Sequence, residues 1–116
     1  MKKLQKVRLK KEEIKAIKDV IKTFDKEAQI ILYGSRTDIN KKGGDIDLLV
    51  ISKKLDLQHL LKIKARLFSK LGDRKIDIVL AKDIGNDPFI QIAYKQGIKL
   101  WIGINYLSFY VKKKKA

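Results

Sequence analysis

The sequence predicts an α+β domain built as a mixed β-sheet with helices packed on one face. Three observations predict it. Apolar residues recur at helical spacing in residues 11–26 and again after Asp56. Short, apolar, strand-length runs alternate with these stretches. Two of those runs carry aspartates, a residue type that strand interiors disfavour.

The elements follow in order. Ile14, Ile17, Val20, Ile21 and Phe24, with lysines between them, mark an amphipathic helix lying on a sheet. Residues 28–33 form a short apolar strand that ends at Gly34-Ser35, and residues 36–44 are a polar connection rich in Asp, Asn, Lys and Gly. Ile46, Leu48, Leu49, Val50 and Ile51 mark the next strand. Asp56 is placed to cap a second helix, Leu57, Leu60, Leu61, Leu67, Phe68 and Leu71 give its apolar stripe, and Gly72 stops it. Residues 75–80 read as a third strand. Asn86 or Asp87 before Pro88 starts a short helix carrying Phe89, Ile90, Ile92, Ala93 and Tyr94, which ends near Gly97. Residues 98–102 are the last strand. Residues 104–116 hold Tyr106, Leu107, Phe109, Tyr110 and Val111 before four lysines, read as a short packing helix with a disordered basic tail at about 112–116. An apolar edge awaiting a partner chain is the other reading.

The 116 residues suit a single domain spanning 1–116, with its core at about 10–102. No apolar run approaches the ~18 residues of a membrane span, and the basic N-terminus lacks the apolar stretch of a signal peptide. Cysteine is absent, so disulfide and thiolate chemistry are excluded. These features lead to the expectation of a cytoplasmic protein. The net charge of +15 suggests a polyanionic partner, nucleic acid or an acidic protein. A lysine-rich proteome or a hot habitat explains the same excess. Most of the charge is lysine scattered along the chain, which favours a solvated surface over a nucleic-acid interface.

The informative chemistry is in the acids. Side chains alternate between the faces of a strand, so Asp45 and Asp47 share one face while Ile46 and Leu48 take the other. Two like charges side by side repel unless a cation lies between them. Asp77, between Ile76 and Ile78, repeats the pattern, and it reaches the same ions if its strand lies beside the first. Hard oxygen ligands favour Mg2+, or Mn2+, over zinc. Two such ions ~3.5–4 Å apart are a recurring device for displacement at phosphorus. Upstream, Gly34 lets a phosphate approach the backbone. Ser35 adds a hydroxyl donor at what reads as a helix start, where an anion is favoured, and Arg36 is suited to grip phosphate oxygens.

Tyr33-Gly34-Ser35, a spacer of nine residues, Asp45-Ile46-Asp47-Leu48, and Asp77 on a later strand together resemble the signature of the DNA polymerase beta-type nucleotidyltransferases. The short length and the Gly34-Ser35-Arg36 variant are most similar to the minimal nucleotidyltransferase (MNT) antitoxins, usually paired with a helical HEPN-domain toxin. The resemblance implies a nucleotidyltransferase fold and transfer of AMP from ATP to a toxin tyrosine. It implies that Asp45, Asp47 and Asp77 are catalytic and bind Mg2+, and that Gly34, Ser35 and Arg36 bind the nucleotide phosphates. Gly44 stands where many relatives have Ser or Thr, and the connection 37–43, although it ends in Gly43, lacks the particular glycine that often follows the arginine segment. Neither departure removes a metal ligand. Two other functions stay open: a non-catalytic antitoxin acting by contact, and a nucleotidyltransferase acting on nucleic acid or a small molecule. His59 reads as a surface residue, and Tyr94 and Trp101 as packing.

Overall fold

The computed structural model describes residues 9–34, 46–72 and 75–101. They run α1 (Lys11–Phe24), β1 (Gln29–Tyr33), β2 (Ile46–Ile51), α2 (Leu57–Leu71), β3 (Ile76–Ala81), α3 (Pro88–Gln96) and β4 (Ile98–Trp101), the order the sequence predicts. The mixed sheet has strand order β3-β2-β1-β4. β1 pairs antiparallel with both β2 and β4, whereas β2 and β3 are parallel. A parallel pair needs a long crossover, and α2 supplies it.

The α+β class and the mixed sheet stand, but the expectation of helices on one face is corrected. α1 and α2 cover one face, where Ile17, Val20, Ile63 and Leu67 pack against Ile30, Leu32, Leu48 and Val50. α3 lies on the other, where Ile90 and Ala93 meet Ile31, Leu49 and Ile51. The physical reason is in the strands. Ile30-Ile31-Leu32 and Leu48-Leu49-Val50 are buried without alternation, so both faces of the central pair require cover. Gly97 lets α3 end against the sheet, since a Cβ there would collide with Ile31 and the backbone of Ala93.

Helix ends follow local chemistry. Glu13 accepts from the Lys10 amide at 2.9 Å at the start of α1. Asp56 caps α2 by accepting from the His59 amide at 3.0 Å, while His59 Nδ1 accepts from the Asp56 amide at 3.2 Å. His59 is thus occupied at a helix start, remote from the acids. Asp87 caps α3 by accepting from the Phe89 amide at 2.9 Å, with Pro88 in the first turn. The expected stripe on α2 divides. Ile63 and Leu67 are buried, Leu60 and Leu71 half-buried, and Leu57, Leu61 and Phe68 face outward. Trp101 packs on the core and donates Nε1–H to the Lys26 carbonyl at 3.2 Å. Tyr94 donates its hydroxyl to Gln29 Oε1 at 3.1 Å. No helix among the described residues is long and apolar enough to cross a membrane. The segment 104–116 and its basic tail lie outside the described residues.

Candidate active site

The register of three strands builds the site. Asp77 on β3 stands opposite Asp47 on β2, and Asp47 stands opposite Tyr33 on β1. Residues directly opposite one another project from the same face. Tyr33, Asp47 and Asp77 therefore form a row across the sheet, one residue per strand, with strands about 4.8 Å apart. Ile46, Leu48, Ile76 and Ile78 take the opposite face and join the core under α1 and α2. Asp47 and Asp77 are partly exposed, so a solute reaches both.

The electrostatics agree with the row. Burial pushes the Tyr33 hydroxyl above the ordinary tyrosine pKa, and the carboxylates of Asp47 and then Asp77 add to the shift. A phenolate beside those acids is disfavoured, so Tyr33 is held as a neutral hydroxyl. Its ring packs edge-on against Phe89, with centroids 5.6 Å apart. The sequence had marked Tyr33 only as the apolar residue before Gly34. The alternation of β1 contained the signal, but the pairing of β1 with β2 was needed to set Tyr33 beside the acids.

Gly34 is required twice over. Its φ of 79° lies in the left-handed region, and a Cβ would collide with Asp47 Oδ2. The absent Cβ thus lets the backbone pass close to the carboxylate. Beside Gly34 lies a cavity of about 310 Å³ walled by Tyr33, Phe89, Ile92, Gln96 and Gly97. A larger cavity of about 740 Å³ lies at the other end of the sheet, among Lys22, Asp25, Lys53, Lys54 and Lys82. Neither cavity is lined by Asp47 or Asp77; the smaller one adjoins them through Tyr33, the register partner of Asp47, and Gly34.

Of the residues singled out from sequence, Gly34, Asp47 and Asp77 are brought together here. Asp45, Ser35 and Arg36 lie outside the described residues. Among the described residues no group of three or more His, Cys, Asp or Glu side chains gathers as a metal cluster. The donors that are described still fit a hard divalent ion. Asp47 and Asp77 offer carboxylate oxygens from adjacent strands, and Gly34 has no Cβ to crowd Asp47 Oδ2.

A family model described as Polymerase beta, Nucleotidyltransferase matches residues 15–102. The chain belongs to this nucleotidyltransferase family. The match spans every described element except the start of α1, so the sheet bearing Tyr33, Asp47 and Asp77 is the family's domain. Nucleotidyltransferases of this family generally use Mg2+ and a nucleoside triphosphate. No curated protein matches the chain.

Proposed function

We propose that this nucleotidyltransferase moves AMP from ATP to a tyrosine of a partner protein, acting as an MNT antitoxin beside a HEPN-domain toxin. The observation that carries the transferase reading is the parallel register of Asp47 and Asp77, directly below the backbone of Gly34. The antitoxin reading rests on the resemblance of the Gly34-Ser35-Arg36 motif.

In this reading Asp45, Asp47 and Asp77 hold Mg2+, or Mn2+. When bound, the ions neutralise phosphate charge and orient the reacting groups. The Gly34 amide and Ser35 hold the β- and γ-phosphates, and Arg36 offsets charge on the leaving pyrophosphate. Tyr33, kept neutral, and Phe89 form an apolar wall beside the phosphates. The acceptor oxygen bonds to the α-phosphorus as the bond to the β-phosphate oxygen breaks. Asp77 takes the phenolic proton and pyrophosphate leaves. Positioning supplies much of the rate, because acceptor and α-phosphorus must come within ~3–3.5 Å.

Co-expression with the product of the adjacent reading frame tests this. The partner's intact mass is expected to rise by one or more AMP units, and the rise is expected to vanish with Asp45→Asn/Asp47→Asn. Neutralisation of the partner without a mass change, equally by the double variant, would establish the contact-only antitoxin instead.

A further inference from the structure

α2 is apolar on two faces. Its inner face buries Ile63 and Leu67 against the sheet. On its outer side Leu57 is 67% exposed, Leu61 61% and Phe68 62%, and Ala65 between them is exposed as well. At about 100° per residue these four positions fall within an arc roughly 80° wide. They form one continuous stripe about three turns long, or about 16 Å. A contiguous apolar stripe of this kind on a surface helix marks an interaction site.

The charges beside the stripe select what covers it. α2 contains Lys62, Lys64, Arg66 and Lys70 and not one Asp or Glu, with Lys62 and Lys64 bordering the stripe. A second copy would set these cations against themselves, which costs binding. Residues 1–8 and 102–116 of this chain contain no Asp or Glu, so neither segment offers carboxylates to Lys62 and Lys64. A three-turn stripe with side chains at i, i+4, i+8 and i+11 presents ridges that suit another helix.

We propose that the outer face of α2 docks an acidic amphipathic helix of a partner protein. Leu57, Leu61 and Phe68 pack against its apolar side, and Lys62 and Lys64 meet its flanking carboxylates. This rests on the reading above in one respect: the acceptor arrives on another protein. The placement is compatible with that delivery. The Phe68 end of α2 leads through Gly72 to Lys75, whose carbonyl accepts from the Ile46 amide at 2.9 Å, next to Asp47. A helix bound along α2 therefore runs toward the acid end of the sheet, on the face opposite Asp47 and Asp77.

The probe is a synthetic helical peptide with leucines at i, i+4, i+8 and i+11 and glutamates at its other positions, titrated against the whole chain by fluorescence anisotropy. Its counterpart carries lysine in place of glutamate. The acidic peptide is expected to bind the wild type and to weaken as salt rises. Binding is expected to fall at least about tenfold with Leu61→Ser/Phe68→Ser, both side chains being exposed and outside the candidate active site. Lys62→Glu/Lys64→Glu is expected to reverse the preference toward the lysine peptide. Equal binding of both peptides to the wild type, or full binding by Leu61→Ser/Phe68→Ser, would overturn the proposal. So would a wild-type dimer in sedimentation equilibrium that the same substitutions dissociate, since a second copy would then be the occupant. AMP transfer to a partner with no peptide binding would overturn this docking face alone. Peptide binding as described, with no transfer to any partner, would support the face and count against the transferase reading.

Discussion

Asp25 and Asp47 sit at opposite ends of the same sheet, and their surroundings differ in kind. Asp25 is surrounded by donors. Its Oδ2 accepts from the Ser52 hydroxyl at 2.5 Å and its Oδ1 from the Glu27 amide at 2.9 Å. Ser52 Oγ in turn accepts from the Leu55 amide at 3.0 Å. Both side chains are buried, and together they tie the end of α1 to the turn between β2 and α2. Asp47 lies on a more accessible face, opposite Asp77 on the next strand and beside the Gly34 backbone. A buried acid ringed by donors holds a fold together. Two acids paired on an accessible face add repulsion that a bound cation relieves. One residue type serves structure at one end and, in the proposed function, chemistry at the other, and the neighbours decide which.

The contrast breaks most sharply under substitution at the acid end. Asp47→Asn is expected to lower nucleotidyl transfer by at least about a hundredfold to a thousandfold. It should leave the apo melting temperature unchanged or slightly higher, because one of the repelling charges is gone. Transfer kinetics and a thermal melt of the same sample read both halves. A mutant that unfolds would give Asp47 a structural role like that of Asp25.

At the other end the signs invert. Ser52→Ala removes the donor to Asp25 Oδ2 and the acceptor of the Lys54 and Leu55 amides, and is expected to cost about 1–3 kcal/mol. Urea denaturation measures that loss, while transfer below the melting temperature should be retained. Loss of transfer by the folded Ser52→Ala protein would show that the two ends are coupled.

Tyr33 gives a smaller, pH-dependent effect. Its pKa is raised in the folded state, so the folded protein holds that proton more tightly than the unfolded chain. Its contribution is fully present below the unfolded tyrosine value of about 10 and is lost as pH rises through the folded value. Tyr33→Phe is therefore expected to flatten the loss of stability between pH ~10 and higher values, seen by denaturation at a series of alkaline pH values. An unchanged alkaline limb would move Tyr33 out of the field of Asp47 and Asp77.

The smallest expected change is at the α2 cap. The Asp56 carboxyl is held below its usual range, chiefly by the His59 backbone hydrogen bond. The stability it contributes is present above the unfolded value and is lost as pH falls through the folded one. Asp56→Ala should shift the acid limb slightly and leave transfer untouched. Acid titration of the melting temperature checks it, and a large shift would give the exposed cap more weight than its position allows.

Local chemistry made most of the fold legible in sequence. Asp56 and Asp87-Pro88 announce helix starts, and the runs around Leu48 and Ile78 announce strands. Asp47 and Asp77 were expected to meet only on condition that their strands were neighbours, and the parallel register supplies that condition. What could not be read depends on contacts between distant segments. Tyr33 joins the acids only through pairing of β1 with β2. Ser52 meets Asp25 across 27 residues of chain. α3 takes the second face because Ile31, Leu49 and Ile51 need cover there, a demand present in the unalternating runs but not assignable to any one helix. The split of the α2 leucines into an inner and an outer face required knowing how the helix rolls on the sheet.

Isotope placement tests the central claim most directly. The whole chain is incubated with Mg2+, the co-expressed partner and ATP labelled at either the α- or the γ-phosphorus. Nucleotidyl transfer at Asp47 and Asp77 predicts α-label on the partner, released pyrophosphate in equal amount, and neither with Asp47→Asn or in EDTA. Label on the partner from the γ-phosphate alone, or α-label transfer undiminished by Asp47→Asn, would contradict the account.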